Sequence, residues 1–343
     1  MRVAVDAMGG DLAPGEVIRG ALRACEATSG LEVLLVGPAA RVGDEIRAAA
    51  GVGDPPGLRV VDAPEWVEMD EHPVEALRRK KDASIAVCAR LARSREADAI
   101  FSAGNTGAVV ASASLAITRI EGVKRPAIAV AYATETGTSV IMDVGANLVC
   151  KPEHLVQYAV MASAYAREIL AIEGPRVGAL NIGSEEEKGS ALVREAARLL
   201  KAAAGPATGF TFQGFVEGHD LFRGVCDVVV CEAFVGNAML KVCEGQAAAI
   251  LHHLRGILAR TFAAEADRAR VKGALLELAR RVDYSEYGGA PLLGIDGVVI
   301  IGHGRSDARA IANGIGLAAR FCAHPVNRRI AEALKALPAP TPA

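Results

Sequence analysis

Six loops rich in glycine, asparagine and aspartate each follow an apolar run of residues in this sequence. They read DAMGGD (6–11), SAGNTGA (102–108), DVGAN (143–147), NIGSEEEKG (181–189), FVGNAMLKVCEG (234–245) and IGHGRSDARA (301–310). Glycine lets backbone N–H groups approach an anion closely, and a helix N-terminus contributes about half a positive charge. The pattern predicts an anion site built from main-chain amides, asparagines and a few charges, which suits a phosphate substrate.

We expect ten residues of these loops to contact the phosphate or to orient groups that do. They are Asp6, Gly9, Gly10, Gly104, Asn105, Thr106, Gly107, Asn147, Asn181 and Gly236. Carboxylates repel phosphate, so Asp6 and Asp11 are interpreted as residues that orient cations or backbone donors, while Gly9 and Gly10 permit close backbone approach. For the loop at 102–107, a tight turn whose Asn or Thr caps the next helix is an equally good interpretation.

Apolar β-branched runs alternate with helical stretches along most of the chain, as is typical of β-α units around a largely parallel sheet. Predicted strands cover 2–6, 31–37, 58–62, 97–101, 126–132, 138–143, 176–182, 209–213, 227–231 and 297–302. Predicted helices cover 14–28, 39–50, 83–95, 106–119, 152–170, 188–204, 235–262, 266–281 and 305–321. Ligands bind beyond the carboxyl ends of strands in an open parallel sheet, so we expect the loops to share one edge.

The chain is expected to form one α/β domain over 1–327, because no long linker divides it. Two successive helices interrupt the alternation at about 238–282, and we interpret them as a helical excursion that projects from the sheet. Residues 328–343 are predicted to hold the end of a terminal helix and a frayed tail rich in proline and alanine.

Composition and missing motifs exclude several kinds of site. Of the 343 residues, 4% are aromatic and the net charge is −2, so nucleic-acid binding is not expected. The seven cysteines form no C-x-x-C pair, which argues against a disulfide framework or a zinc site and favours a cytoplasmic protein. The chain lacks the dinucleotide, P-loop, nucleophile-elbow and H-E-x-x-H signatures, so no cofactor and no metal are predicted.

Several stretches together resemble the acyl-carrier-protein-dependent phosphate acyltransferases (PlsX family). They are DAMGGDLAP, SAGNTGA, NIGSEEEKG, GFVEGHDLFRG, FVGN, DYSEYGGAPLLGIDGVVIIGHG and ARAI, which run in the family's order and spacing from residue 6 to about 311. The resemblance implies a Rossmann-like three-layer α/β/α enzyme similar to phosphotransacetylases, acting as a homodimer. It also implies transfer of a long-chain acyl group from acyl carrier protein to inorganic phosphate, giving acyl phosphate for phospholipid synthesis.

This chemistry needs positioning more than proton abstraction, because phosphate is already an anionic nucleophile and a thioester already has a good leaving group. With the resemblance in view, Lys188 is expected to place a cation beside phosphate or the developing charge; alternatively it pairs with Glu185 or Glu186 on the surface. Asn237 is expected to donate to the oxyanion, or instead to cap the following helix.

Glu232 and His303 complete the expected catalytic set. Glu232 is expected to orient Lys188 or a water, or to act as a helix cap; the family usually has Asp-Gly where this chain has Glu232-Ala233. His303, between two glycines, is expected to hydrogen-bond phosphate or protonate the leaving thiolate, or to be a structural histidine. The loop after it carries Arg305 and Asp307 where the family commonly has Ser and Asn.

The helical excursion combines an apolar stripe with basic residues. Leu254, Arg255, Leu258 and Phe262 are expected to contact acyl carrier protein or an anionic membrane, and a core or dimer contact is the default interpretation. The family resemblance implies peripheral membrane association and a contact with the next acyltransferase of the pathway. Two other functions stay open: a phosphotransacetylase-like enzyme that uses acyl-coenzyme A, and a non-catalytic membrane-associated scaffold of lipid synthesis.

Overall fold

The computed structural model describes residues 1–51, 55–261, 271–278 and 287–338. In these residues one sheet contains β1 (Arg2–Asp6), β2 (Glu32–Gly37), β3 (Leu58–Asp62), β4 (Ala99–Ser102), β5 (Ala127–Ala133), β6 (Thr138–Met142), β7 (Arg176–Leu180), β8 (Thr211–Val216), β9 (Val228–Val230), β10 (Ala290–Leu293) and β11 (Val298–Ile301). Every predicted strand overlaps an observed one. The sequence did not predict β10.

Helices surround the sheet. They cover Gly15–Ala27, Ala39–Ala50, Pro73–Arg79, Ser84–Arg93, Thr106–Ala116, Pro152–Leu170, Ala191–Ala203, Ala233–Thr261, Ala308–Ala323 and Val326–Lys335, with a 3-10 helix at Gly218–Arg223 and a helical segment at 271–278. We call Ala233–Thr261 the long helix. It forms the first part of the predicted excursion, whereas 262–270 and 279–286 lie outside the described residues.

The sheet is buried on both faces because its strands are apolar at consecutive positions. Successive strand residues point to opposite faces, and in β1 Val3 and Val5 join one core cluster while Ala4 joins the other. The first cluster includes Tyr158 from the helix Pro152–Leu170, and the second includes Val109 from the helix Thr106–Ala116. The predicted three-layer α/β/α arrangement is confirmed.

The strand directions reverse in the middle of the sheet. Across the sheet the order is β3-β2-β1-β4-β11-β10-β5-β6-β9-β7-β8. The pairs β11–β10, β10–β5 and β5–β6 are antiparallel, and the other described pairs are parallel. Consequently β6, β7 and β9 run opposite to β1, β4 and β11, and the prediction that all six loops share one edge is wrong.

These directions divide the candidate residues into two sets. The first loop group comprises the loops after β1, β4 and β11, at 6–11, 102–107 and 302–307. The second loop group comprises the loops after β6 and β7, at 143–147 and 181–189, and residues 231–237, which follow β9 and include the first residues of the long helix. Each group lies at the carboxyl ends of its own strands, so any site that uses both must span the sheet between them.

The C-terminal helix Val326–Lys335 belongs to the α/β unit. Val326 and Ile330 are buried in the first core cluster. The predicted end of a terminal helix after 327 is present, and the predicted domain boundary at 327 stays a prediction. Within the described ranges, every helix is too short or too polar to cross a bilayer.

Candidate active site

Hydrogen bonds tie the three loops of the first loop group together. The Ser102 hydroxyl donates to Asp6 Oδ2 (2.8 Å) and accepts from the Gly104 N–H (3.1 Å), while the Met8 N–H donates to Asp6 Oδ1 (3.2 Å). The Asp11 N–H donates to the carbonyl oxygen of Gly304 (2.7 Å). Asp6 thus lies beneath the loops as an orienting group.

Asp6 is almost fully buried, with 4% of its surface exposed. Burial raises the pKa of Asp6, and hydrogen bonds from Ser84 and Ser102 offset part of that rise. A carboxylate in this position holds the loop backbone through accepted hydrogen bonds and stays away from solvent.

Glycines allow the loops after β1 and β4 to touch. A Cβ on Gly9 would lie 2.8 Å from both the Gly104 nitrogen and Asp6 Oδ2, and Gly10 has a φ of +113°. Any larger residue at Gly9 would separate the two loops. The main chain at 103–104 is therefore placed beside the main chain at 9–10, which is the geometry an amide-lined anion site requires.

The capping interpretation of Asn105 is confirmed. Its side-chain oxygen accepts from the Ala108 N–H (3.1 Å) at the start of the helix Thr106–Ala116, and its amide donates to the carbonyl oxygens of Met69 (3.1 Å) and Glu71 (3.0 Å). Thr106 is exposed at the first helical position, next to Gly107. The phosphate-binding roles of these residues stay predictions.

His303 lies at the border between the first loop group and the long helix. Its Nδ1 accepts from the Arg305 N–H (3.1 Å), and its Nε2 lies 3.5 Å from Lys241 Nζ. The Arg305 contact fits a neutral ring with its proton on Nε2, and in that form Lys241 acts on the ring through its charge and not through a hydrogen bond. Burial and the positive charge of Lys241 lower the pKa of His303, which favours this neutral form.

The sequence reasoning missed Lys241 and Glu244. Lys241 Nζ pairs with Glu244 Oε2 at 3.0 Å, one helical turn away. The signal was present, because FVGNAMLKVCEG places a lysine and a glutamate three residues apart. These two residues give the border of the first loop group a balanced pair of charges.

Asp143 organises the first loop of the second group. Its carboxylate accepts from the N–H groups of Gly145 (3.1 Å), Ala146 (3.0 Å) and Asn147 (2.9 Å). The Asn147 amide donates to Asp143 Oδ2 (2.8 Å) and to the Pro126 carbonyl oxygen (2.7 Å). Burial raises the pKa of Asp143, and these bonds offset part of that rise. Asn147 holds the loop in this structure.

The long helix begins against this loop. The Ala233 N–H donates to the Asn147 carbonyl oxygen (3.3 Å), and the Gly236 N–H donates to the Glu232 carbonyl oxygen (3.0 Å). A Cβ on Gly236 would collide with the Asp143 carbonyl oxygen. Asn237 is exposed inside the helix, so the interpretation that it caps this helix is wrong.

Lys188 lies in a loop held closed by Asn181. The Asn181 amide donates to the carbonyl oxygens of Gly183 (3.0 Å) and Lys188 (3.1 Å). Lys188 Nζ pairs with Glu185 (2.7 Å), about half of its side chain is exposed, and Glu185 raises its pKa. The following helix begins only after Ser190, whose hydroxyl caps it (3.3 Å), so Lys188 precedes the helix rather than starting it.

The long helix connects the two loop groups. Gly236 packs on the second group and Lys241 reaches His303 of the first, five residues further along. Five residues span about 7.5 Å at a rise of about 1.5 Å per residue. His303 and the start of the long helix are therefore near one another, although their strands end at opposite edges.

The remaining predicted contact residues lie farther along the long helix. Leu254 and Leu258 are partly buried and Arg255 is exposed, while Phe262 lies outside the described residues. Across the described ranges, no cluster of histidine, cysteine, aspartate and glutamate side chains is suited to hold a metal ion.

Comparison with known proteins covers nearly the whole chain. Residues 1–329 match the family described as fatty acid synthesis protein. The phosphate acyltransferase of Desulfitobacterium hafniense strain Y51 is 48% identical over 320 residues, which cover 93% of this chain and 92% of that protein. The phosphate acyltransferase of Nitratidesulfovibrio vulgaris strain DP4 is 46% identical over 332 residues, which cover 97% and 94%.

Solved structures with little sequence similarity share the fold. A phosphotransacetylase from Streptococcus pyogenes has a TM-score of 0.62 at 17% identity and covers 98% of this chain and 94% of its own. The EutD phosphotransacetylase from Staphylococcus aureus has a TM-score of 0.61 at 15% identity and covers 94% of each chain. These similarities show a common α/β architecture.

Proposed function

The chain belongs to the fatty acid synthesis protein family and is an acyltransferase, and on this premise we propose that it moves a long-chain fatty acyl group from acyl carrier protein to inorganic phosphate. A phosphate oxygen attacks the thioester carbonyl carbon, the C–S bond breaks, and the thiolate leaves and takes a proton. The products are acyl phosphate, which serves phospholipid synthesis, and free carrier thiol.

The close packing of the three loops in the first loop group is the observation that supports this proposal. The contact of Gly9 with the loop at 102–107 brings main-chain amides together at the start of the helix Thr106–Ala116. Asn105 already supplies partners for the N–H groups of Ala108 and Val109. We assign the N–H groups of Thr106 and Gly107, with the helix dipole behind them, to the phosphate.

His303 donates its Nε2 proton toward the phosphate or the departing sulfur. Lys241, 3.5 Å away, supplies positive charge on the same side. Neutralising the charge of phosphate and of the tetrahedral intermediate is the main requirement of this reaction, and one well-placed donor is worth about 10²–10³ in turnover.

We assign the oxyanion of the intermediate to donors of the second loop group. Asn237 is exposed on the first turns of the long helix, and Lys188 is held by Glu185 at the end of β7. Lys188 must leave Glu185 to reach the substrate, and because this ion pair is exposed, breaking it costs little. Glu232 carries a charge at the point where the long helix begins and orients Lys188 or a water.

A thiol-release assay tests the reaction. Thiol is measured with palmitoyl-acyl carrier protein or palmitoyl-coenzyme A, with and without phosphate, and acyl phosphate is trapped with hydroxylamine. We expect phosphate-dependent release from the carrier-protein donor with formation of the hydroxamate. Release from the coenzyme A donor alone would replace this proposal with a phosphotransacetylase-like activity, and no hydroxamate from either donor would favour a scaffold role.

We further propose that the protein acts in the cytoplasm as a homodimer that associates peripherally with anionic membrane, beside the next acyltransferase. The segment from Arg255 to Arg281 carries seven basic and three acidic residues, a local excess that suits acidic carrier protein or anionic lipid. Leu254→Glu/Leu258→Glu should reduce co-sedimentation with anionic vesicles, whereas Ala248→Glu/His252→Glu, which adds two carboxylates at exposed positions, should reduce it less. Equal binding by both variants would remove the apolar stripe from the contact.

A further inference from the structure

An apolar pocket of about 440 Å³ lies beside the first half of the long helix. Its walls include Tyr132, Leu221, Phe222, Met239, Cys243 and Leu251. The Tyr132 and Phe222 rings meet edge to face with centroids 5.7 Å apart and form one wall. Leu278, from the helical segment 271–278, lies on another side. The pocket therefore has walls from the sheet, the 3-10 helix and two helical segments.

The pocket borders the candidate active site through one turn of the long helix. Glu244 lines the pocket and pairs with Lys241, which lies 3.5 Å from His303. Cys243, on the same turn, contributes to the apolar wall. An elongated ligand with an apolar tail and an anionic head would place the tail in the pocket and the head near His303 and Lys241.

We propose that this pocket receives the acyl chain of the donor and of the acyl phosphate product. The proposal rests on the acyl transfer proposed above and extends it by naming the chain-binding residues. The volume agrees with a long chain. A methylene is close in size to a water molecule, whose share of liquid volume is about 30 Å³, and the pocket volume of about 440 Å³ is many times larger, so the pocket has room for a long chain.

Binding in this pocket makes transfer sensitive to chain length. Moving one methylene from water to an apolar site is worth about 0.8 kcal/mol, which corresponds to about fourfold in affinity. A chain that fills the pocket is held strongly, whereas a four-carbon chain gains little from it. The pocket therefore selects long-chain donors over short ones at the same active site.

Filling the pocket from the long helix tests this assignment. Ala247 lines the pocket, whereas the next residue, Ala248, is exposed and lies outside it. We expect Ala247→Phe to lower kcat/KM for a sixteen-carbon donor at least about tenfold and to change it less than twofold for a four-carbon donor. Ala248→Phe, the matched control, should leave both values within twofold of wild type. Ala247→Leu replaces Ala247→Phe if thermal unfolding shows that the larger residue destabilises the fold.

A binding measurement distinguishes failure of the pocket assignment from failure of the proposed reaction. Cis-parinaric acid, a fluorescent fatty acid, is titrated into the wild-type protein and both variants. Loss of binding in Ala247→Phe but not in Ala248→Phe supports the pocket even if no donor is turned over, in which case only the proposed reaction fails. Unchanged parinaric acid binding in Ala247→Phe, or equal loss of activity with short and long donors, overturns the pocket assignment. A change in oligomeric state alone, with chain-length preference intact, would assign this face to a second copy of the chain and also overturn it.

Discussion

Replacing Ser102 with alanine should separate the loops of the first loop group. The Ser102 side chain is fully buried and bridges Asp6 Oδ2 (2.8 Å) and the Gly104 N–H (3.1 Å). Ser102→Ala removes one hydrogen bond to a carboxylate, worth about 1.5–3 kcal/mol, and leaves a buried N–H without its partner, which costs about 1–3 kcal/mol. We expect a loss of about 3 kcal/mol in the free energy of unfolding when Asp6 is ionised.

The loss should depend on pH in a defined direction. Burial raises the pKa of Asp6 above its ordinary value of 3.8, and the Ser102 hydrogen bond opposes that rise. A raised pKa means that the stability contributed by protonated Asp6 is present at low pH and is lost as pH rises through the folded-state pKa. Removing Ser102 raises that pKa further. The destabilisation by Ser102→Ala should therefore be larger at a pH above the folded-state pKa of Asp6 than at a pH below it, where a protonated Asp6 loses only a neutral hydrogen bond worth about 1 kcal/mol.

Urea unfolding at the two pH values measures this difference, and Ser163→Ala is its control. Ser163 is also buried, but among the described residues its hydroxyl has no hydrogen-bond partner. Removing that hydroxyl should be nearly neutral or stabilising. If Ser102→Ala costs no more than Ser163→Ala, or if its cost is equal at both pH values, the Asp6–Ser102–Gly104 chain does not hold the loops. The KM for phosphate should rise in Ser102→Ala, because the Gly104 backbone loses its fixed orientation.

Lys188→Ala and Asn237→Ala should each lower turnover at least about 100-fold, in line with loss of an oxyanion donor. Their thermal unfolding should be unchanged, because both side chains are exposed. Near-normal turnover in both variants would remove these residues from the mechanism. In an NMR titration, the pKa of His303 should lie below 6.5, because burial and the charge of Lys241 disfavour the protonated ring. Protonation would also place a hydrogen on Nδ1, where it would face the Arg305 N–H. Lys241→Met should move that midpoint upward, and a wild-type midpoint at or above 6.5 would contradict the assigned geometry.

The sequence predicted most strands because a buried sheet needs apolar residues on both faces, and such runs are visible in any one chain. It missed β10 because Pro291 lacks an N–H group and argues against an interior strand. In the structure Pro291 nevertheless pairs with Ile300 of β11, between β11 and β5. The position of β10 in the sheet depends on pairing with strands that are distant in sequence, and such pairing produces no local sequence pattern.

The reversal of strand direction did leave a signal in the sequence. Only a few residues separate β5 from β6, and the Thr134 N–H donates to the Gly137 carbonyl oxygen (2.8 Å) to close a hairpin. A parallel connection needs a dozen or more residues. The short connection therefore excludes a parallel pair here, and the loops after β6, β7 and β9 follow the reversed direction.

Two asparagines show that residue type alone does not decide between a ligand-binding role and a structural role. Asn147 and Asn181 stand in glycine-rich loops where an anion ligand and a loop brace have the same sequence signature. Their amides donate to carbonyl oxygens within or beside their own loops. The direction of the Asn147 amide is decided in part by the Pro126 carbonyl oxygen, 21 residues away in the sequence, whereas the Asn181 amide bonds within its own loop.

The reversed strands explain why Gly236 matters beyond its own turn of helix. The two loop groups end at opposite edges, so one element must cross between them, and the long helix does so from Gly236 to Lys241. The crossing starts in direct contact with the Asp143 carbonyl oxygen, where a Cβ has no room. Any larger residue would lift the start of the helix away from the second group and carry Lys241 away from His303. The distance between the two loop groups is therefore set by the contact of Gly236 with Asp143, which only glycine allows, and the polar site between the groups depends on that contact.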